Sequence, residues 1–153
     1  MARLDDIPEP TRTVVANLPC TAFETAPFVS GPKLSERRVA IVSSAALILR
    51  GDAPFPVGSG EYRAVPASWN SADILMSHVS INFDRAGFQR DINVVLPVDR
   101  LRELVAEGRI GSVAATHFTV MGSTDPAAMA EAADRMAASM KADKVNAVVL
   151  TPV

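Results

Sequence analysis

The last nine residues limit the fold of this chain more than any other segment. Residues 145–153 read V-N-A-V-V-L-T-P-V, an uncharged run that directly follows a helical pattern. A strand this apolar is normally buried on both faces, as in parallel sheets that helices cover. A strand, a helix and a second strand of these lengths predict a parallel pair joined by a right-handed crossover. The run therefore predicts an α/β fold.

The position of this strand leaves two interpretations open. In parallel α/β sheets, the functional residues lie just beyond the carboxyl ends of the strands. Here the given sequence stops at residue 153, within three residues of the predicted strand. Either the strand closes a small complete domain, or the chain lacks the loop that would carry its reaction.

Composition excludes several classes of protein. The chain has 153 residues, of which 48% are hydrophobic and 21% charged, as in a soluble protein with one domain and one core. A net charge of -2 and the absence of a basic run argue against binding to nucleic acid or an anionic membrane. No apolar stretch reaches about 18 residues and the amino terminus is acidic, so neither a membrane span nor a secretory signal is predicted. We expect a cytoplasmic protein.

A single cysteine, Cys20, excludes an internal disulfide and a thiolate zinc site. Cys20 lies in L-P-C-T-A, which reads as a loop. It is either a reactive thiol or a partly buried bystander, and the habits of free cysteines favour the second interpretation.

The chain divides into an arm and a body. Residues 1–37 hold five of the eleven prolines and little periodicity, which predicts an extended amino-terminal arm packed on the body, with one short helix near residues 11–18. Residues 38–153 predict an α/β domain that lacks its carboxyl-terminal part. Its first element is a strand from residue 38, after which residues 43–49 either continue the strand or begin a turn and a helix. The further elements are strands at 62–66, 73–78, 113–120 and 145–150, mostly loop over 79–96, and helices at 97–107 and after a cap at Thr124 or Asp125. Together they predict a three-layer sandwich around a mostly parallel sheet of about four to five strands.

Two histidines stand near strand ends. His78 closes D-I-L-M-S-H, and His117 lies further back in A-A-T-H-F-T-V-M-G. Carboxyl ends of parallel strands meet at one edge, so we expect His78 to face a crevice shared with Met121 and Gly122. The alternative is that each histidine is a hydrogen-bonded structural residue. The spacing of His78, Asp84, Asp91 and His117 matches no metal motif, so no metal site is predicted.

Asp91 and Asn93 point the same way if their segment is extended. They form either a polar pair lining a small-molecule pocket or a turn and cap before the helix that begins near residue 97. The turn at 121–125 could hold an anion on backbone N–H groups, although no P-loop or G-x-G-x-x-G sequence is present. Neither Ser43 nor Ser44 lies in a G-x-S-x-G motif, so a serine hydrolase is not indicated.

Several segments in order resemble one known family. They are R-V-A-I-V-S-S-A-A-L-I-L-R-G-D-x-P-F, then S-H, D-I-N-V-V-L-P-V-D-R-L-R-E-L-V-A-E-G-R-I-G, T-H-F-x-V-M-G and K-A-D-x-V-x-A-V-V-L-T-P-V. From about residue 36 to its end, the chain resembles the selenoprotein B family of glycine, sarcosine, betaine and D-proline reductases. These are α/β proteins that reductively cleave C–N bonds with a selenocysteine or cysteine. In the short, D-proline-reductase-like members, the reactive Sec/Cys-x-x-Cys loop directly follows the L-T-P strand.

The resemblance implies a substrate pocket without its reactive atom. The pocket candidates are Ser43, His78, Asp91, Asn93, His117, Met121 and Gly122. No residue is assigned as catalytic and no cofactor is expected, because the sequence ends where the nucleophile would come. A selenocysteine codon is also a stop codon, which suggests that the chain is the amino-terminal part of a longer selenoprotein and is inactive alone.

Three functions follow as hypotheses. The first is part of a reductase that binds a small-molecule substrate, with reductase partner subunits. The second is a non-enzymatic binding or assembly protein on the same scaffold. The third, a metal-dependent hydrolase built on the two histidines, has the least support. The apolar carboxyl-terminal strand leaves an open edge, so we also expect a homo-oligomer.

Overall fold

A computed structural model describes residues 3–19, 22–80 and 85–153 of the chain. Its strands are β1 (Arg38–Ser43), β2 (Leu47–Leu49), β3 (Tyr62–Pro66), β4 (Ile74–Met76), β5 (Ser112–Val113), β6 (Thr116–Val120) and β7 (Ala147–Thr151). Its α-helices are α1 (Thr11–Ala16), α2 (Ala86–Arg90), α3 (Val98–Ala106) and α4 (Ala130–Ala142).

Strand β1 lies at the centre of the main sheet. β7 pairs with it in parallel along one side, and β5 and β6 pair with it in parallel along the other. Val39, for example, pairs with Ala147 of β7 on one side and with Val113 of β5 on the other. β3 joins β6 in antiparallel orientation. The predicted mostly parallel sheet is confirmed, but β7 pairs with β1 and not, as predicted, with the strand that precedes α4.

Helices cover both faces of this sheet. Leu101 of α3 packs into a core with Val39 and Ile41 of β1. Met136 of α4 packs with Phe118 and Val120 of β6, whose side chains point to the opposite face. The three-layer α/β arrangement that the sequence predicts is therefore confirmed.

Side-chain caps fix the ends of the two longer helices. Asn93 Oδ1 accepts the N–H of Asp99 in the first turn of α3 at 3.0 Å, and Gly108 follows that helix with φ +68°. Asp125 Oδ1 accepts the N–H of Ala127 at 2.9 Å, and Pro126 opens the 3₁₀ turn that leads into α4. The predicted helix starts and the Asp125 cap are confirmed.

The structure differs from the sequence prediction in four segments. Residues 43–49, predicted either to continue the first strand or to begin a turn and a helix, turn at Ala46 with φ +49° and then form the strand β2. The predicted strand over 113–120 divides into β5 and β6. Among the described residues of the predicted loop at 79–96, α2 and a 3₁₀ turn at Ile92–Val94 form regular structure that the sequence did not indicate. β4 is a strand as predicted, but it pairs with β2 in a separate antiparallel sheet.

The amino-terminal arm contains α1, as predicted. No residue among the described positions 3–36 is buried. Arg37 ties the arm to the body, because its Nη1 donates to the carbonyl of Asn146 at 2.7 Å and its own carbonyl accepts the N–H of Gly111 at 2.9 Å. The division into arm and body, with the arm packed on the body, stays a prediction, and Cys20 lies outside the described residues.

Within the part of the chain that the structure describes, no helix has both the length and the apolarity that crossing a bilayer would require. The predicted cytoplasmic location stays a prediction.

Candidate functional site

Ser44 joins the carboxyl ends of three strands. Its N–H donates to the carbonyl of Thr151 at the end of β7 (3.1 Å), and its carbonyl accepts the N–H of Gly122 just after β6 (3.1 Å). Its hydroxyl accepts the N–H of Val153 at 2.8 Å. Ser44, His78, Gly122, Thr151 and Val153 are named here the carboxyl-end cluster. The cluster lies where parallel α/β proteins carry their chemistry.

His78 reaches this cluster from outside the main sheet. The preceding residue, Ser77, donates its N–H to the carbonyl of Ala46 at 2.9 Å, and this bond carries the chain from β4 to the sheet edge. A Cβ atom built on Gly122 would lie 3.1 Å from His78 Nε2 and 2.9 Å from Ser44 Cβ. The expected closeness of His78 to Gly122 is thus observed, although β4 is not a strand of the parallel sheet.

The environment of His78 sets its charge and tautomer. Its Nδ1 accepts the N–H of Ser80 at 3.0 Å, so the neutral ring carries its proton on Nε2, the atom that faces Gly122. Burial lowers the pKa of His78, and the positive charge of Arg85 lowers it further. His78 is therefore a neutral N–H donor at pH 7.

Ser43 and Met121, two predicted pocket residues, are fully buried beneath the cluster. Ser43 Oγ accepts the N–H of Ala45 at 3.2 Å, and Met121 packs with Ala46 and Phe55. The sequence prediction missed Ser44 and Thr151 as members of the site. The available signal was position, since both stand where an apolar strand ends. Thr151 Oγ1 is buried and has no hydrogen-bond partner among the described residues.

His117 lies within the sheet and is fully buried. Its Nδ1 accepts the N–H of Ile41 at 3.1 Å, and its Nε2 has no hydrogen-bond partner in the described part of the chain. Burial, and to a lesser extent the charge of Arg102, lowers the pKa of His117 to about 4 against the opposing effect of Asp143. His117 is therefore neutral at pH 7 and lies within the sheet, apart from the carboxyl-end cluster.

Asp91 and Asn93 lie on a different segment, between α2 and α3. Asp91 Oδ1 accepts the N–H of Asn93 at 2.9 Å, a bond that lowers the pKa of Asp91. Asn93 in turn caps α3, so the turn-and-cap interpretation is confirmed. Both residues also line an open groove of about 400 Å³ beside Phe88 and Gln89. Their role in substrate binding stays a prediction.

The cluster is suited to holding a small polar molecule rather than to electron transfer. It offers the His78 N–H as a donor and the hydroxyls of Ser44 and Thr151, all uncharged at pH 7. None of these groups is redox-active. Among residues 3–19, 22–80 and 85–153, no three His, Cys, Asp or Glu side chains come together in a way that could hold a metal ion. Asp84, one residue of the rejected metal set, lies outside those ranges.

Sequence comparison identifies related proteins. A family model described as glycine/sarcosine/betaine reductase selenoprotein B matches residues 24–153. The D-proline reductase subunit gamma of Acetoanaerobium sticklandii is 29% identical over 122 residues, covering 78% of this chain and 50% of the relative. The glycine reductase complex component B subunit gamma of Carboxydothermus hydrogenoformans is 32% identical over 142 residues, covering 88% of this chain and 32% of the relative.

The chain spans half of the first relative's length and about a third of the second's. No solved structure matches it significantly.

Proposed function

Because the chain belongs to the glycine/sarcosine/betaine reductase selenoprotein B family, we propose that it forms the substrate-binding part of a reductase that cleaves a C–N bond of an amino acid or a related amine. The observation that carries this proposal is the carboxyl-end cluster. It holds Ser44 against the backbones of Gly122 and Thr151 at the sheet edge, with the His78 ring beside Gly122. The same strands are among the segments that resemble the family.

The reaction needs a redox-active atom that the cluster lacks. Reductive cleavage adds two electrons and two protons, so that the C–N bond becomes a C–H bond and an N–H bond. In our proposal, a selenocysteine or cysteine outside these 153 residues supplies the electrons. Ser44 supports this location, because its Oγ accepts the N–H of Val153 and its carbonyl accepts the N–H of Gly122. A helix starting there would lower the pKa of the nucleophile.

The cluster residues bind and orient the substrate in this proposal. The Nε2–H of neutral His78 donates a hydrogen bond to a substrate oxygen. The Thr151 hydroxyl, which lacks a partner among the described residues, accepts from or donates to the same molecule. The Ser44 hydroxyl, by holding Val153, keeps the end of β7 against the cluster.

Partner subunits form part of the proposal. Both curated relatives are named as subunits of reductases, one of them within a complex. We therefore propose that this chain acts with reductase partner subunits that deliver electrons. Self-association of the chain through the exposed strand β7 is a separate proposal.

Reading the genomic DNA past codon 153 tests the location of the redox centre. The proposal expects an in-frame selenocysteine or cysteine codon followed by a downstream cysteine and a helical segment. With a dithiol as electron donor, amine release from glycine, sarcosine and betaine and ring opening of D-proline to 5-aminopentanoate are then measured for the 153-residue protein and for the extended protein. We expect turnover with one of these substrates by the extended protein only. Turnover by the 153-residue protein unaided would contradict the proposal.

Two His78 variants of the extended protein test substrate binding. His78→Asn keeps an acceptor near the position of Nδ1 but removes the Nε2–H, whereas His78→Gln places an amide near Nε2. We expect KM to rise about tenfold or more in His78→Asn and less in His78→Gln, because one hydrogen bond to a substrate is worth about 1–2 kcal/mol. Ser35→Ala, at an exposed position in the arm, is the control. Equal KM values for His78→Asn and the control would show that His78 does not bind the substrate.

A further inference from the structure

The pairing of β1 with β5 and β6 shifts by two residues midway along the strand, whereas its pairing with β7 keeps one register. Arg38 and Val39 pair with Ser112 and Val113, an offset of 74 positions. Val42 and Ser43 pair with Phe118 and Thr119, an offset of 76 positions. Four residues, 114–117, therefore lie opposite two residues of β1. This two-residue bulge separates β5 from β6.

Side chains from elsewhere satisfy the backbone at the bulge. The N–H of Ala115 donates to Asp143 Oδ2 at 2.7 Å. The N–H of Ile41, on the β1 side, donates to His117 Nδ1 at 3.1 Å. An acceptor is needed there because Ile41 and His117 are both fully buried, and an unpaired buried N–H costs about 1–3 kcal/mol. His117 thus supplies an acceptor where the regular ladder is interrupted.

The bulge determines which residue of the segment after β6 lies beside Ser44. With the shifted register, Ala45 bridges to Met121 and Gly122 donates to the carbonyl of Ser44. With the earlier register, β6 would lie two residues further along β1, a displacement of about 7 Å. Gly122 would then pass Ser44 and lose its contact with His78. Bulges commonly redirect side chains next to functional sites in this way.

We propose that His117 is a positioning residue of the carboxyl-end cluster: its bond to the Ile41 N–H holds the register that places Gly122 against Ser44 and His78. That this position matters for substrate binding rests on the function proposed above. His117 itself touches no substrate, since it is enclosed by the sheet and the α3 side of the core. The two histidines therefore have different roles in this proposal. His78 is a member of the cluster, whereas His117 holds the strand register on which the cluster depends.

Two matched variants of the 153-residue protein test this role. Asn at position 117 places an oxygen near the position of Nδ1 and can accept the Ile41 N–H, whereas Leu fills similar space without an acceptor. The chain has two histidines, so in either variant the remaining imidazole signal in an NMR spectrum belongs to His78. The measurements are the His78 tautomer, the Gly122 amide shift and the hydrogen exchange rate of the Ile41 amide.

We expect His117→Asn to keep all three signals near those of the wild-type protein. His117→Leu should shift the His78 and Gly122 signals and raise the Ile41 exchange rate at least tenfold, while its circular dichroism stays that of a folded protein. Unchanged His78 and Gly122 signals in folded His117→Leu, or equal shifts in both variants, would overturn the proposal. If His117→Leu does not fold, His117→Gln replaces it, since its amide lies one carbon further from Ile41, and the same criteria apply.

These measurements need no substrate, so they separate the two proposals. If the signals behave as expected but the extended protein binds no amine, the register role stands and the proposed function fails. If the extended protein turns over substrate but His117→Leu leaves the cluster signals unchanged, the register role fails and the function stands.

Discussion

The N–H of Gly122 donates to the carbonyl of Ser44 at 3.1 Å, which places the backbone after β6 directly against the turn that follows β1. This contact is close enough to exclude any side chain at position 122. A Cβ atom there would lie 2.8 Å from the Ser44 carbonyl oxygen and 3.1 Å from His78 Nε2. The carboxyl-end cluster therefore depends on a glycine for its packing rather than for an unusual φ angle.

Gly122→Ala should lower the free energy of unfolding by about 1–3 kcal/mol, because the added methyl group meets the Ser44 backbone, which cannot move without disturbing the sheet. Gly87→Ala is the matched control, since a Cβ atom at Gly87 would meet only Val94 side-chain carbons at 3.7 and 3.9 Å. Urea unfolding of both variants measures the difference. A Gly122→Ala protein as stable as Gly87→Ala would show that the contact is looser than described.

Asp143→Ala should destabilise the protein by about 1–3 kcal/mol. Asp143 Oδ1 lies 2.6 Å from Arg38 Nη2, and Oδ2 accepts the N–H of Ala115 at the bulge, so the variant removes the partner of the half-buried Arg38 guanidinium and the acceptor of an exposed backbone N–H. Glu103→Ala, which removes an exposed ion pair with Arg100, is the control and should cost less than about 1 kcal/mol. Chemical denaturation compares them, and equal costs would count against a bracing role for Asp143.

Acid should weaken the protein through His117. Its pKa is about 4 in the folded chain against 6.5 for an ordinary histidine, so the unfolded state binds the proton first. The contribution of the neutral ring is complete above about pH 6.5 and is lost as the pH falls towards 4, by about 3 kcal/mol in total. His78, whose pKa is also lowered, acts in the same direction.

The contribution of His117 is isolated by comparison with His117→Asn, which retains every other titrating group. We expect the stability difference between the wild-type protein and His117→Asn, measured by urea unfolding, to shift by about 3 kcal/mol against the wild type between pH 7 and pH 4. A difference that is constant with pH would mean that His117 titrates normally in the folded chain.

Self-association through β7 is expected from its side chains. Val148, Val149 and Leu150 are exposed, and β7 carries no charge that would protect its edge. Sedimentation velocity should show association that strengthens with concentration, and Leu150→Glu should weaken it at least tenfold. Val57→Glu, at a loop valine that is 83% exposed, should have little effect. A wild-type protein that stays monomeric at all concentrations would contradict the prediction.

The local sequence pattern was sufficient to predict several of the strands and helices of residues 38–153. The uncharged run at the carboxyl end predicted the strand β7 and its place in a parallel sheet. Its burial on both faces was wrongly predicted, because Val148, Val149 and Leu150 are exposed. Asp125 and Gly108 marked helix ends correctly, because caps and left-handed exits depend on neighbouring residues alone.

Only the tertiary structure decided the site. The bulge at 114–117 leaves no mark in the alternation of apolar residues, because it depends on acceptors that His117 and Asp143 bring to backbone groups distant in sequence. Ser44 and Thr151 were missed for the same reason, since their register is a long-range property. His78 was placed beside Gly122 by reasoning about a parallel strand, whereas it arrives there from the separate β2–β4 sheet. Sequence periodicity reports which face a residue occupies, and the long-range pairing of strands determines its neighbours.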